Sequence, residues 1–163
     1  MDVAVLIGSE SDYDVIKEAL SVLEEFSVVY DLQVTSAHRS PERTRKLVAR
    51  LEEGGARVFI AAAGKSAHLA GFVAAHTCTP VIGIPVESGA LGGLDALLST
   101  VQMPKGVPVA TMGLGRAGAF NAALLAVQIL SLRNPRLGKK LKAYRKNQAL
   151  KVEKASNRIR KKK

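Results

Sequence analysis

Three short segments of this sequence bring together residue types that can bind an anion and move a proton. The first is Gly8-Ser9-Glu10-Ser11-Asp12, where Ser9, Ser11 and Asp12 offer hydroxyls and a carboxylate in a compact turn. Amides at the start of a following helix would add to its affinity for phosphate or another anion, although Ser11 or Asp12 could equally cap that helix. The second is Ser36-Ala37-His38-Arg39-Ser40-Pro41. Imidazole titrates near neutrality and guanidinium keeps its charge, so His38 beside Arg39 suits proton transfer on an anionic ligand. The third is Ala63-Gly64-Lys65-Ser66-Ala67-His68-Leu69, in which small residues permit close backbone approach while Lys65 and His68 add polarity. Packing of His68 against a helix is the structural alternative. His76, further along, is expected to be structural.

To act together these segments need a frame, and the intervening chain supplies one. Apolar runs begin at Val3, Val28, Val58, Val81 and Val107, at intervals of 25, 30, 23 and 26 residues. They are nearly continuous in Val, Ile, Leu and Ala, as strands covered on both faces must be, and the intervals match β-α units. Between them Val15, Ile16, Ala19, Leu20, Leu23 and Phe26 mark the apolar face of one helix, and Leu47, Val48 and Leu51 that of another. Ser40-Pro41 predicts where the second begins, and Gly54-Gly55 where it stops. Further helices are expected over 66–77, 94–101 and 117–132. Right-handed crossovers make this an α/β fold, a flavodoxin-like or Rossmann-like three-layer sandwich on a five-stranded parallel sheet. The three segments then fall at the carboxyl ends of the first three strands, where open α/β sheets bind ligands.

Composition narrows the function further. The 163 residues are 47% hydrophobic and 23% charged, enough for one domain without disulfide staples. No apolar run approaches the ~20 residues of a membrane span, and no signal peptide is evident. The lone cysteine, Cys78, fits a reducing cytoplasm and is expected to be a small buried apolar residue. Net charge is +10, but residues 133–163 hold 14 Lys and Arg against the single acid Glu153, whereas residues 1–132 hold 10 against 13. The sequence therefore divides into an α/β domain, 1–132, which holds the three chemistry-bearing segments, and a basic segment, 133–163. In the latter Leu137, Leu141, Tyr144 and Gln148 recur at helical spacing before a Lys-rich tail expected to fray. One aromatic among so many cations is a poor base-stacking surface, so nucleic acid is not the expected partner. No GxGxxG follows the first strand and no GxxxxGK[ST] occurs, which disfavours dinucleotide and P-loop sites. Without HExxH, a Cys/His pair or an acidic cluster no metal site is expected, and without GxSxG no hydrolase elbow.

Taken together, GSESD (8–12), SAHRSP (36–41), AGKSAHLAG (63–71) and LGGLDALLSTVQMPKGVPVAT (91–111) resemble the 5-(carboxyamino)imidazole ribonucleotide mutases of purine biosynthesis, over about residues 2–132. The resemblance implies a flavodoxin-like fold, a homo-octamer whose sites are completed by neighbouring subunits, and no cofactor. It implies that His38 is the catalytic acid and base. It also implies that Ser9, Ser11, Asp12, Ser36 and Arg39 bind the ribonucleotide, while Ala63, Gly64, Lys65, Ser66, His68 and Leu69 wrap its imidazole and carboxylate. The chemistry suits these residues. Breaking a carbamate needs a proton on its nitrogen, and rearomatising the C4 adduct needs one removed, so one near-neutral group can serve both steps. Holding carbon dioxide between the steps calls for a closed, largely apolar pocket, with Ala62 to Gly64 and Ala67 as walls.

One feature departs from the mutase pattern. Lys65-Ser66 stands where mutases carry Gly-Ala, and a basic residue followed by serine looks more like the sister aminoimidazole ribonucleotide carboxylases, which take free carbon dioxide. Arg39 and His68 match the mutase side, because the carboxylases compared carry Lys at the first place and no histidine at the second. The expectation is therefore a mutase, with the carboxylase as alternative and a non-catalytic nucleotide- or RNA-binding module as a third reading.

Overall fold

The computed structural model describes residues 1–161. Strands β1 (Val3–Ile7), β2 (Tyr30–Val34), β3 (Val58–Gly64), β4 (Val81–Val86) and β5 (Ala110–Thr111) form one sheet in the order β2-β1-β3-β4-β5, every pair parallel. Helices α1 (Tyr13–Glu25), α2 (Pro41–Glu53), α3 (Leu69–Ala74) and α4 (Leu94–Val101) make the crossovers, α5 (Gly115–Ser131) follows β5, and α6 (Pro135–Arg160) is the last element of the described residues. Side chains of successive strand residues point to opposite faces, so each apolar run builds two cores at once. Val3, Val5, Ile7, Val58 and Ile60 meet Ile16, Leu23, Ala123 and Val127 on the α1/α5 side. Ala4, Leu6, Phe59 and Ala61 meet Leu47, Val48, Leu51 and Val73 on the α2/α3 side. The expected α/β sandwich is the fold observed.

Where the elements differ from the sequence reading, local chemistry gives the reason. β2 begins at Tyr30 rather than Val28, because Ser27 adopts φ 58° and Val28 donates back to the Leu23 carbonyl to close α1. β5 keeps only two residues of its run. It lies at the sheet edge, and Pro108 has no N–H to give a ladder. α3 is shorter than 66–77 at both ends, since Lys65 is left-handed at φ 54° and residues 66–68 form tight turns through Ala67 N–H to Lys65 O and His68 N–H to Ser66 O. A Gly-x-Gly-x-x-Gly spacing occurs at Gly113 to Gly118, but its last glycine answers to packing: a Cβ on Gly118 would run into the Gly113 carbonyl.

Cys78 is exposed, not buried. It sits in the α3–β4 connection, where the inward places belong to Thr77 and Thr79; both hydroxyls donate to Glu52 Oε1, at 2.6 and 2.8 Å. The basic segment is one unbroken helix to Arg160, pinned by Leu137 and Leu141 in the core and by Lys140 Nζ donating to the Phe26 carbonyl at 3.1 Å. Lys162 and Lys163, the end of the expected frayed tail, lie outside the described residues.

Candidate active site

The sheet order places a topological switch between β1 and β3, since the chain leaves β1 toward β2 on one side and returns to β3 on the other. The loops after these strands part at that point and open a crevice, and the three chemistry-bearing segments border it. The first is tied down by its own side chains. Ser9 N–H donates to Asp12 Oδ2 at 3.1 Å, Ser11 N–H reaches Ser9 Oγ at 3.4 Å, and the Ser9 and Ser11 hydroxyls are 2.9 Å apart. This capping box closes the short 3-10 turn Glu10–Asp12, and Asp12 makes no side-chain cap to α1. Asp12 is 6% exposed, and burial raises its carboxyl above the ordinary aspartate value against the opposing pull of hydrogen bonds from Ser9, Ser11 and Gly8.

The second loop is anchored from below by the buried Thr35–Thr44 hydroxyl pair, 2.8 Å apart. Ser40 stands at the N-cap of α2, yet its hydroxyl donates to the Ser36 carbonyl at 3.0 Å instead of capping. That bond folds residues 36–40 into a turn. Arg39 spans the first two loops, with Nη2 donating to the Gly8 carbonyl at 3.3 Å and its own N–H donating to Ser36 Oγ at 3.2 Å. Among the described residues the ion pairs are Lys17–Asp14, Arg45–Glu42 and Lys46–Glu42, so neither Arg39 nor Lys65 is neutralised by a carboxylate. The third loop crosses to meet the second: His38 Nε2 lies 2.6 Å from His68 Nδ1, with the rings inclined at 76°.

These groups line one cavity of ≈ 620 Å³, within the range of small-molecule sites. Every residue nominated from the sequence borders it: Ser9, Ser11, Asp12, Ser36, His38, Arg39, Ala63, Gly64, Lys65, Ser66, His68 and Leu69. Gly8, Ala37 and Ser88 line it too and were missed. Ser88 follows β4 and accepts the Lys65 N–H at 3.1 Å; its place beyond a strand's carboxyl end was the available signal. His76 lies elsewhere, stacked on Phe72. A hollow of similar size between α1, α5 and α6 is lined by Phe120, Tyr144 and exposed residues of α6, and holds no histidine. Among the described residues no group of three or more His, Cys, Asp and Glu is placed to hold a metal ion. The expected closed pocket is only partly present. Of the small residues expected as walls, Ala63 and Gly64 line it, whereas Ala62 and Ala67 are buried away from it, and His38, Arg39, Lys65 and His68 face solvent on the single chain.

The AIR carboxylase family model matches residues 2–151. The chain belongs to that family. Curated relatives include the N5-carboxyaminoimidazole ribonucleotide mutase of Pyrococcus abyssi, 54% identical over 145 residues that span 89% of this chain and 82% of the relative. The protein of the same name from Bacillus subtilis is 48% identical over 157 residues, 96% of this chain and 97% of its own. Among solved structures, Treponema denticola PurE superposes with a TM-score of 0.85 at 30% identity, covering 93% of this chain and 94% of that one.

Proposed function

We infer that this AIR carboxylase family member is an N5-carboxyaminoimidazole ribonucleotide mutase, an isomerase of purine biosynthesis. The observation that carries the reading is His38, a proton-carrying group at the switch-point crevice, lining one cavity with the unneutralised guanidinium of Arg39. Relatives bearing the mutase name at 47–54% identity over most of the chain support it. In this reading Arg39 and the hydroxyls of Ser9, Ser11 and Ser36 hold the phosphate. Asp12, an acceptor when ionised, takes the ribose hydroxyls.

His38 in its acid form gives a proton to the exocyclic nitrogen of the carbamate. The C–N bond breaks and carbon dioxide leaves. C4 of the aminoimidazole then attacks that carbon dioxide, a C–C bond forms, and His38 takes the C4 proton, which restores both the aromatic ring and the acid. Protons balance over the cycle. Orientation supplies much of the acceleration, because the same carbon dioxide must meet C4 before it escapes. The main chain at Ala63, Gly64, Ser66 and Leu69 shapes the wall around the ring, and the Lys65 ammonium faces the migrating carboxylate. Lys65 is also what keeps free carbon dioxide in play as an alternative donor.

The site on one chain is open, so we assign its closure to neighbouring subunits of a homo-octamer. Leu94, Leu98 and Val101 form an exposed apolar stripe along α4, with Leu91 exposed in the turn before it, and this supports association. α5 gives less support, since it packs against α1, α6 and the sheet of the same chain. Residues 1–132 carry the chemistry and 133–163 are an appended basic helix and tail. An exposed, unpaired Cys78 fits the cytoplasm. Purified protein should convert the carbamate without ATP, and His38→Asn should lose at least ~100-fold in turnover while still binding substrate. Faster turnover of aminoimidazole ribonucleotide with bicarbonate than of the carbamate would assign the carboxylase instead, and parental turnover by His38→Asn would refute the role of His38.

A further inference from the structure

Two imidazole nitrogens 2.6 Å apart cannot both be bare and cannot both carry hydrogen: in one case two lone pairs collide, in the other two protons. One proton therefore lies between His38 Nε2 and His68 Nδ1. When the pair takes up a further proton, the charge is shared by an imidazolium donating to a neutral imidazole, a charge-assisted bond of the short, strong kind. A second added proton would force the rings apart. The two histidines come from different loops, the turn after β2 and the turn before α3, so their meeting depends on the tertiary fold and not on a local motif. The other charged groups lining the cavity are Asp12 from the turn after β1, Arg39 from the turn after β2, and Lys65 at the end of β3. None of them has a hydrogen bond to either ring among the described residues.

We propose that His68 is a positioning residue for His38: in the empty site its Nδ1 is a stand-in acceptor, holding the His38 Nε2–H where the reacting nitrogen of the substrate will lie. The assignment deepens the mutase reading and rests on it for the identity of the incoming atom. This selects the tautomer of neutral His38: its proton is held on Nε2, the nitrogen directed at His68. On binding, the exocyclic nitrogen takes over as acceptor and His68 must swing away. It sits at the N-cap position of α3, after two tight turns, where a side-chain rotation disturbs no helical hydrogen bond.

The test uses His68→Leu, which fills the place of the ring without an acceptor, and His68→Asn, whose amide oxygen falls near the position of Nδ1. With three histidines in the chain, ring-labelled protein gives resolvable signals, and His38→Asn assigns the His38 resonance. In the substrate-free protein, ring nitrogen shifts should report the Nε2–H form of neutral His38 in the parent and in His68→Asn, and a mixture of the two tautomers in His68→Leu. With the carbamate, His68→Leu should lose about tenfold in kcat/KM and His68→Asn no more than about threefold. A His38 tautomer unchanged in His68→Leu, or altered equally in both variants, overturns the proposal. The tautomer readout needs no substrate. Failure of the parent to convert the carbamate would sink the mutase reading and leave the pairing to be judged by the tautomers alone.

Discussion

The end of β3 carries the third loop into the site, and Gly64 is the residue on which its position turns. Gly64 pairs with Val86 of β4, and a Cβ added there would collide with the Ser88 hydroxyl, lie 3.2 Å from Ser88 Cβ and lie 3.2 Å from the Val86 carbonyl. Rotating the Ser88 side chain would clear the hydroxyl but not the other two contacts, and would forfeit the bond it accepts from Lys65 N–H at 3.1 Å. Gly64→Ala should therefore combine overpacking of about 1–3 kcal/mol with the loss of one hydrogen bond, about 1 kcal/mol. A loss of ~2 kcal/mol lowers Tm by about 4–8 °C in a chain of this length. Activity should fall further than stability suggests, because the strand end must move and Lys65 to His68 move with it. A displacement of order 1 Å at reacting groups costs about 100-fold. Ser88→Gly removes both Ser88 contacts, so Gly64→Ala/Ser88→Gly should recover most of the stability, with a coupling of about 1–2 kcal/mol in the double-mutant cycle. Thermal unfolding and kcat/KM on the four proteins decide it: a Gly64→Ala protein that melts within 1 °C of the parent, or losses that simply add, would refute the steric reasoning.

Glu52 gives a pH-dependent case. Hydrogen bonds from Thr77 and Thr79 hold its carboxyl below the ordinary glutamate value of 4.5, so the contribution is complete above about pH 4.5 and is lost as pH falls through the lower folded value. Glu52→Gln should lose about 1 kcal/mol at pH 7 by denaturant unfolding, and the gap to the parent should close below pH 4.5; a gap constant with pH would count against the assignment. Deletion of residues 147–163 should leave activity, oligomer size by light scattering and Tm, within about 2 °C, as in the full chain, since Leu137 and Leu141 are the buried residues of α6 and the deletion spares both. Inactive monomers would show that the distal half of α6 builds the assembly.

The layered fold and its carboxyl-edge loops were legible because period and composition report on two-sided burial, and Val3 to Ile7 and Val58 to Ala62 are buried throughout. Edges and turns were less legible. Residues 107–109 have the composition of a strand but no neighbour beyond them, and residues 66–68 carry no Gly or Pro to stop a helix but follow a left-handed Lys65 that the sequence does not announce. Cys78 shows the same limit at a single side chain. A lone cysteine is usually buried, but burial here was decided by Thr77 and Thr79 converging on Glu52 from across the α2/α3 layer.

The site divides along the same line between what is local and what is not. Residue types that bind anions and carry protons were visible in each segment, because a serine, an arginine or a histidine keeps its chemistry wherever it is placed. Their relations were not. Arg39 bridging to the Gly8 carbonyl, Ser88 accepting from Lys65, and His38 meeting His68 each span 23 to 31 residues, and each is set by the spacing and order of the strands. Parallel strands deliver consecutive loops to one edge, so a sheet ordered β2-β1-β3-β4-β5 brings four loops around one crevice whatever their sequences. Whether two of those loops then pair a histidine from each depends on the left-handed turn at Lys65, which ends β3 early enough for His68 to reach across instead of continuing outward on a helix. The residue that departs from the mutase pattern is thus also the one whose backbone sets the reach of the pair.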